Sequence, residues 1–493
     1  MRFPDLPIYR GFNAPGRIEA DILDLEVEGS IPADLDGVFY RVGPDPQWPP
    51  LHGTDIYFNG DGMVSAFRFQ GGHVDFKCRY VRTEKFLLES DARRALFGTY
   101  RNPLSDDPSV RGRSRGTANT NIVFHAGQLL ALKEDSLPIA LDPLSLETLG
   151  PTTFADTLHC PTFTAHPKLD PHSGELIAFG YDAAGVATPD VAFLVVGPQR
   201  RVTRQVWFKV PYSCMIHDFA VTRRHVIFPV VPLTSSQDRL RQGASNFAWD
   251  GRKDVYLGVL PRDGGAADIR WFRGPTEFVS HVMNAFEDGE RIHLDVPVAE
   301  SNAFPFFPDV SGAPFDPRKA DFRLQRWTLD LASKNEGYAR KTLSDVTGEF
   351  PRIDERYAME PYRHGYMTVQ DLSKPYDAAR AGSITGMFWN SIGHVDHLTN
   401  RTSTDFAGPT SSFQEPTFVP KSAASAEGEG YLLALANRYE QMRSDLLLWD
   451  ARRISDGPLA TIRLPLRLRN GLHGTWVEGS QLPRSKQSSQ PRP

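Results

Sequence analysis

The chain has 493 residues, 40% hydrophobic and 23% charged, which is the composition of a soluble globular protein. Its formal net charge of −5 argues against a nucleic acid or an anionic membrane as a partner. The three cysteines are scattered and lack CxxC spacing, which argues against a disulfide framework and a zinc ribbon. The N-terminus has no apolar signal segment, and no apolar run is long enough to span a bilayer, so we expect a soluble cytoplasmic protein.

Short strands separated by turns run through the whole chain. A first strand is predicted at residues 38–42, followed by a hairpin of strands 64–69 and 74–80 around Gly71 and Gly72. Short capped helices are predicted at 90–98 and 235–243. From about residue 122 onward, an apolar strand, a turn rich in Asp, Gly, Pro or Ser, and a second strand recur loosely. This pattern predicts an all-β propeller or barrel, with residues 1–483 as a single domain and residues 484–493 as a disordered tail.

Four histidines stand just before strands of this kind. His166, His217 and His281 each precede an apolar run, and His473 adds a fourth near the C-terminus. The steps from 166 to 217 and from 217 to 281 are 51 and 64 residues, close to a propeller blade of about 40–50 residues with an insertion. If these runs are the inner strands of successive blades, their starts converge on one axis, where four imidazoles could hold a metal.

The positions of these histidines do not by themselves establish a metal site. The chain has 14 histidines, and a lone histidine is more often a surface or hydrogen-bonded core residue than a ligand. No HExxH or similar compact motif is present. Five further histidines could be argued into a site as well: His125, His159, His364, His394 and His397.

Seven short blocks form a more specific combination. They are FYRVGP at 39–44, FNGDGM at 58–63, TAHP at 164–167, IHDF at 216–219, HVMNAF at 281–286, QEP at 414–416 and LHG at 472–474. Together they resemble the carotenoid cleavage oxygenase family over nearly the whole chain. The resemblance implies a seven-bladed β-propeller with a dome of helices and loops. It also implies a non-haem Fe(II) on the axis, held by His166, His217, His281 and His473.

The resemblance also assigns residues around the iron. Glu134, Glu349 and Glu415 match carboxylates that orient the ligating rings by accepting their second N–H group. Thr120 matches a position that crowds a vacant iron site. Without the resemblance, each glutamate would be interpreted as a solvated charge at a strand end, and Thr120 as an ordinary strand residue.

Within the family, the chain looks most like the bacterial lignostilbene and stilbenoid dioxygenases, through residues 41–47, 99–103, 133–135 and 304–308. Tyr100 and Lys133 match the pair that contacts a 4-hydroxyl group in those enzymes. A lysine ammonium lowers the pKa of a nearby phenol, and the phenolate pushes electron density toward the alkene. The alternative is a packed tyrosine and a surface lysine. Because Lys133 and Glu134 are adjacent, both roles require a strand end or a bulge between them.

Aromatic residues complete the predicted substrate site. Phe58, Phe306 and Phe307 could stack on a flat aromatic substrate, although core packing would explain them equally well. We therefore predict an Fe(II) dioxygenase that splits the central double bond of a 4-hydroxystilbene with O2, giving two aromatic aldehydes. An apocarotenoid or phenylpropene substrate stays open, as does a propeller that binds ligands without catalysis. The sequence also leaves open whether the chain forms a homodimer.

Overall fold

The structure is a computed structural model that describes residues 2–377 and 388–483. Within these ranges the chain forms 32 β-strands and two short α-helices, and none of its helices has the length and apolar character needed to cross a bilayer. The tail predicted at 484–493 lies outside the described residues.

The strands of the first half are β1 Ala20–Ile22, β2 Glu26–Gly29, β3 Gly37–Pro44, β4 Gly62–Gln70, β5 His73–Tyr80, β6 Asn121–His125, β7 Gln128–Leu132, β8 Ile139–Leu141, β9 Thr148–Pro151, β10 Lys168–Leu169, β11 Leu176–Tyr181, β12 Asp190–Val196, β13 Val202–Lys209, β14 Ala220–Val221, β15 His225–Val230 and β16 Leu233–Ser235. The strands of the second half are β17 Phe247–Trp249, β18 Val255–Pro261, β19 Arg270–Gly274, β20 Asn284–Asp288, β21 Arg291–Val298, β22 Arg323–Asp330, β23 Ala339–Ile353, β24 His364–Gln370, β25 Ser391–Asp396, β26 Arg401–Phe406, β27 Ser411–Phe413, β28 Thr417–Pro420, β29 Gly430–Arg438, β30 Arg443–Asp450, β31 Ala460–Arg463 and β32 Gly474–Glu478. The helices are α1 Glu84–Ala92 and α2 Gln237–Arg241. Single 3-10 turns lie at Pro7–Tyr9, Gly11–Asn13, Tyr57–Asn59, Pro103–Ser105, Pro108–Val110, Ala266–Asp268, Pro317–Lys319, Glu355–Tyr357, Ile454–Asp456 and Gly479–Gln481.

Antiparallel pairing groups the strands into seven blades. From the innermost strand outward, blade 1 is β32-β3-β4-β5-β1, blade 2 is β6 to β9, blade 3 is β10 to β13, and blade 4 is β14-β15-β18-β19. Strands β20 to β26 form one continuous sheet, in which the 15-residue β23 is both the outer strand of blade 5 and the inner strand of blade 6. Blade 7 contains β27 and β28 beside β29, then β30, β31 and β2. The predicted seven-bladed propeller is thus confirmed.

Apolar contacts between neighbouring blades close the ring. One hydrophobic cluster joins blades 1 and 2, another joins 2 and 3, and a large one joins 3, 4 and 5. Three more join blades 5 and 6, blades 6 and 7, and blades 7 and 1. Because a middle strand is packed on both faces, β11 is buried at every residue and its sequence is a continuous apolar run. The outer β13 faces solvent on one side, and seven of its eight residues are partly buried or exposed.

The two ends of the chain complete the ring together. β32 pairs with β3, and β31 pairs with β2, so blades 1 and 7 both combine N-terminal and C-terminal strands. This pairing removes the free sheet edges that an open ring would leave at its two ends. It also places His473, the residue before β32, at the axial end of an innermost strand.

The predicted local elements are confirmed with one correction. The strand at 38–42 and the hairpin at 64–69 and 74–80 correspond to β3, β4 and β5. The helix predicted at 235–243 is α2, and the side chain of Ser236 caps its first turn. The helix predicted at 90–98 was placed wrongly, because α1 starts earlier, with Thr83 as its cap. Ser90, the first residue of the predicted helix, lies inside α1, where its hydroxyl donates to the Phe86 carbonyl at 2.6 Å.

The seam between blades 1 and 7 depends on Phe39, which is 0% exposed and packs in the cluster that joins them. We expect Phe39→Ala to lower the free energy of unfolding by about 3–5 kcal/mol, because the cavity it leaves can collapse only in part. Denaturant unfolding measures the change. Leu104→Ala is the control, since Leu104 is 65% exposed and its loss should change the stability little. Equal effects of the two substitutions would contradict the role assigned to the seam.

Candidate metal centre

Four imidazoles meet on the propeller axis because each of these histidines lies just before an innermost strand. His166 precedes β10, His217 precedes β14, His281 precedes β20, and His473 precedes β32. The Nε2 atom of His217 lies 3.1 Å from that of His166 and 3.2 Å from that of His281, and the Nε2 atoms of His281 and His473 are 3.2 Å apart. All four candidate ligand atoms lie within 4.8 Å of one another.

The other histidines raised by the sequence lie elsewhere. His364 and His394 contact each other between β24 and β25, with Nδ1 and Nε2 2.9 Å apart. His125 is bonded to the Gly174 carbonyl at 3.1 Å, and His397 packs on the ring of Tyr362. His159 is exposed. The position that faces the axis from blade 2 is occupied by Thr120, directly before β6, where other blades carry a ligand.

Three of the four rings are held by buried carboxylates. Nδ1 of His217 donates to Glu134, Nδ1 of His281 donates to Glu349 at 2.6 Å, and Nδ1 of His473 donates to Glu415 at 2.8 Å. His166 lacks a carboxylate partner within the described part of the chain. Because each Nδ1 carries the proton in these three bonds, the Nε2 atoms present lone pairs to one another.

This arrangement of donors fits a metal ion. Lone pairs that converge at about 3 Å repel one another unless a cation lies between them. The same spacing is that of neighbouring ligands on one ion with metal–nitrogen bonds of about 2.1 Å. Neutral imidazoles suit Fe, Zn, Cu and Ni ions alike, so the donor set alone does not select among these metals.

Charge and burial favour ionised Glu134 and Glu415 and a neutral His473. Burial opposes ionisation of Glu134, but His217, Lys133 and Arg101 outweigh it and lower the pKa of that carboxyl to about 2. Burial likewise opposes ionisation of Glu415, whose pKa is lowered to about 2 by Arg352, His473 and Arg41. Burial lowers the pKa of His473 to about 4 despite its bond to Glu415. The carboxylates therefore stay charged, as ring orientation requires, and His473 stays neutral.

A buried network around Glu134 was not anticipated from the sequence. Arg101 donates to the Tyr181 hydroxyl at 2.9 Å and to Asp182 at 2.9 Å, and lies 3.4 Å from Glu134. Tyr181 in turn donates to Glu134 at 2.9 Å. Arg101, directly after Tyr100, adopts φ +54, in the left-handed region. The block at 99–103 contains Arg101, but nothing in the sequence indicates that Tyr181, 80 residues away, would meet it.

Glu349 is directed to the axis by an irregularity in β23. The register shifts between Glu349 and Arg352, and Phe350 adopts φ +54, a conformation that costs free energy for a residue other than glycine. Ser280 also donates to Glu349. The ring of Phe350 lies 5.3 Å from that of His281 and covers one side of the centre.

A cavity opens over His217, His281 and His473, with a free volume of about 1270 Å³ including its mouth. The predicted residues Phe58, Tyr100, Thr120, Lys133 and Phe307 line it. Phe304 lines it as well, whereas Phe306 packs behind the wall, with its ring 5.3 Å from that of Phe58.

Lys133 and Glu134 both face this cavity because β7 ends at Leu132, just before them. The strand end that their two roles require is therefore present. The ammonium of Lys133 lies 4.8 Å from the centroid of the Tyr100 ring and 3.3 Å from the Phe58 carbonyl. Burial lowers the pKa of Lys133 and raises that of Tyr100.

A segment inserted into blade 4 packs behind the cavity wall. Strands β16 and β17 and helix α2 are inserted between β15 and β18 of blade 4. Phe247 of β17 packs against Tyr100 and Phe307, with ring centroids 6.4 and 5.8 Å away. The starts of the inner strands thus supply the metal ligands, while connecting segments that contain Phe58, Tyr100 and Phe304 supply much of the cavity wall.

Comparison with known proteins identifies close relatives. The family model described as retinal pigment epithelial membrane protein, RPE65, matches residues 13–478. Lignostilbene-α,β-dioxygenase isozyme III of Sphingomonas paucimobilis is 50% identical over 98% of this chain and 99% of its own. Isoeugenol monooxygenase of Pseudomonas nitroreducens is 46% identical over 94% of this chain and 96% of its own. The crystal structure of Pseudomonas brassicacearum lignostilbene dioxygenase superposes with a TM-score of 0.94 at 43% identity, covering 97% of this chain and 100% of that one.

The carboxylates can be tested through metal affinity. We expect Glu349→Gln to weaken metal binding by about 10- to 100-fold, since an amide holds the His281 N–H less strongly than a carboxylate does. Competition with a chelator measures the affinity. Glu300→Gln is the matched control, because Glu300 is exposed. Unchanged affinity in Glu349→Gln would show that the bond to His281 does not support the metal.

Proposed function

Because the chain belongs to the carotenoid cleavage oxygenase family, which includes RPE65, we propose that it is an Fe(II) dioxygenase acting on 4-hydroxystilbenes. It is an alkene-cleaving oxygenase, and its reaction would split the central C=C bond with O2 into two aromatic aldehydes. The observation that carries this proposal is the position of Lys133 and Tyr100 in the same cavity as His217, His281 and His473, three of the four histidines of the centre.

Iron is the metal proposed for the centre. Four neutral imidazoles do not cancel the charge of a divalent ion, as a carboxylate ligand would in part. They also leave coordination positions at which small molecules can bind. When bound, a ferrous ion would supply the redox chemistry that lets O2 react with an alkene. His166, His217, His281 and His473 would hold it, with Glu134, Glu349 and Glu415 fixing three of the rings.

Lys133 and Tyr100 would bind and activate the phenol. Burial lowers the pKa of Lys133, and its amine would accept the phenol proton, after which the ammonium would pair with the phenolate. Burial raises the pKa of Tyr100, so its hydroxyl stays protonated and can donate a hydrogen bond to the phenolate oxygen. The phenolate then conjugates with the alkene and makes it electron-rich. Phe58, Phe304 and Phe307 would hold the rings and exclude water.

A phenylpropene is the second candidate substrate. It is favoured by the 46% identity to isoeugenol monooxygenase, a name that refers to a phenol carrying a propenyl group. The Lys133 and Tyr100 pair would serve either substrate, because both are phenols conjugated to an alkene. An apocarotenoid lacks a phenol and would leave a buried ammonium unpaired in the cavity.

We further propose that residues 1–483 act as one domain and that the protein works in the cytoplasm. The unbroken series of hydrophobic clusters around the ring supports the first statement. The second is supported by Cys78, Cys160 and Cys214, which are buried and free.

The first test is the metal itself. We expect the purified protein to contain about one iron per chain and His281→Ala to lose both iron and activity, because a ligand on the axis is removed. Elemental analysis and turnover of 4-hydroxystilbene measure the two. His159→Ala is the control, since His159 is exposed. Full turnover by His281→Ala would reject the ligand assignment, and an iron-free active protein would reject iron.

The second test addresses the phenol. We expect Lys133→Met to slow cleavage of 4-hydroxystilbene by at least about 10-fold, because the ammonium no longer favours the phenolate, while the iron content stays unchanged. The parent protein should also cleave 4-methoxystilbene poorly, since an ether has no proton to lose. Steady-state kinetics measure the rates, with the exposed Lys209→Met as control. Equal cleavage of phenol and ether, together with an active Lys133→Met, would contradict phenol activation.

A further inference from the structure

The cavity has a second polar region, which the activation of a phenol does not use. Ser412 of β27, Asn437 and Tyr439 on or just after β29, and Asn470 all line the same cavity as Lys133. We call these four residues the distal cluster. The Oγ atom of Ser412 lies 2.6 Å from the Tyr439 hydroxyl, and Asn437 donates to Ser412 at 3.2 Å. All of them except Asn470 are buried from outside solvent.

The distal cluster and Lys133 lie on opposite sides of the metal centre. The ring centroids of His217 and His473 are 6.5 Å apart, whereas the other pairs of ligand rings are 4.5–5.1 Å apart. These two histidines therefore face each other across the centre.

Each of the two facing histidines has one polar region of the cavity beside it. Lys133 directly precedes Glu134, the carboxylate that accepts the His217 proton. Gln414 directly precedes Glu415, which accepts the His473 proton, and Gln414 donates to Asn437 at 2.8 Å. A substrate that reaches both regions must pass over the metal centre between them.

The two regions differ in chemistry. Lys133 offers a charge, whereas the distal cluster offers only hydroxyl and amide groups, which both donate and accept hydrogen bonds. The Tyr439 hydroxyl bonds with Ser412 and with the side-chain amides of Asn437 and Asn470, so these groups are held together at the cavity wall. A neutral hydroxyl or methoxyl group on an aromatic ring fits such a site, because it needs partners but no counter-charge.

We propose that Ser412 and Tyr439, positioned by Asn437, form a binding site for an oxygen substituent on the second ring of a stilbene. This inference rests on the proposed function and narrows it: the substrate carries oxygen on both rings, one held by Lys133 and Tyr100, the other by the distal cluster. A phenylpropene has no second ring and would leave this site without a partner. The distal cluster thus selects between the two substrate classes that the relatives represent.

The test compares two substrates, 4-hydroxystilbene and 3,5,4′-trihydroxystilbene, which differ only in the hydroxyls of the second ring. We expect the parent protein to prefer the trihydroxy compound in kcat/KM. Ser412→Ala and Tyr439→Phe should each lower kcat/KM for that compound by about 3- to 10-fold, the value of one neutral hydrogen bond, and change that for 4-hydroxystilbene less than twofold. Tyr366→Phe is the control, because the Tyr366 hydroxyl is buried away from the cavity and has no hydrogen-bond partner within the described residues.

Binding measured without turnover completes the test. The saturated analogues of both substrates, in which the alkene is a CH2–CH2 link, cannot be cleaved, so their dissociation constants report recognition alone. We expect Ser412→Ala and Tyr439→Phe to weaken binding of the trihydroxy analogue and to change binding of the 4-hydroxy analogue little. Equal losses for both compounds would assign the cluster a structural role, and no preference in the parent protein would refute the second-ring site. Failure to cleave either stilbene would instead count against the proposed function.

Discussion

Three hydrogen bonds from imidazole N–H groups to buried glutamates set the geometry on which the centre depends. They fix His217, His281 and His473 with their Nε2 lone pairs directed at one another. Each bond joins different blades: His217 of blade 4 meets Glu134 after the second strand of blade 2, and His473 before blade 1 meets Glu415 of blade 7. The closed ring is therefore required, because only closure brings these distant segments to one axis.

The same arrangement concentrates charge in a buried place. Glu134, Glu349 and Glu415 stay ionised although burial disfavours their charge. Arg101 and Arg352 lie against two of them, with Arg352 3.3 Å from Glu415. A divalent ion adds positive charge where the four lone pairs converge, so metal binding and folding stabilise each other. The positive φ of Phe350 costs free energy, and the irregular backbone there directs Glu349 to the axis.

The sequence predicted the propeller and the four histidines on its axis better than the residues that surround them. Histidines before apolar runs, at spacings close to a blade, indicate convergence because the starts of inner strands meet in a propeller. The roles of the adjacent Lys133 and Glu134 required a strand end or a bulge, and the structure has a strand end there. The partners of Glu134 could not be predicted, because Arg101 and Tyr181 meet it only when blades 2 and 3 pack. The predicted position of helix α1 was wrong because Ser90 resembles a cap, although its hydroxyl bonds within the helix.

The metal ligands and many of the residues that line the cavity lie in different parts of the fold, which explains how relatives with different substrates can be so similar. The four ligands stand at the starts of inner strands, where ring closure fixes their positions. Tyr100, Phe58, Phe304 and Phe307 lie in connecting segments, which can change without disturbing the ring. A lignostilbene dioxygenase and an isoeugenol monooxygenase are 50% and 46% identical to this chain. Under the proposed function, the metal centre and the phenol site stay common to such enzymes. The distal cluster is then where a second aromatic ring is either accepted or left without partners.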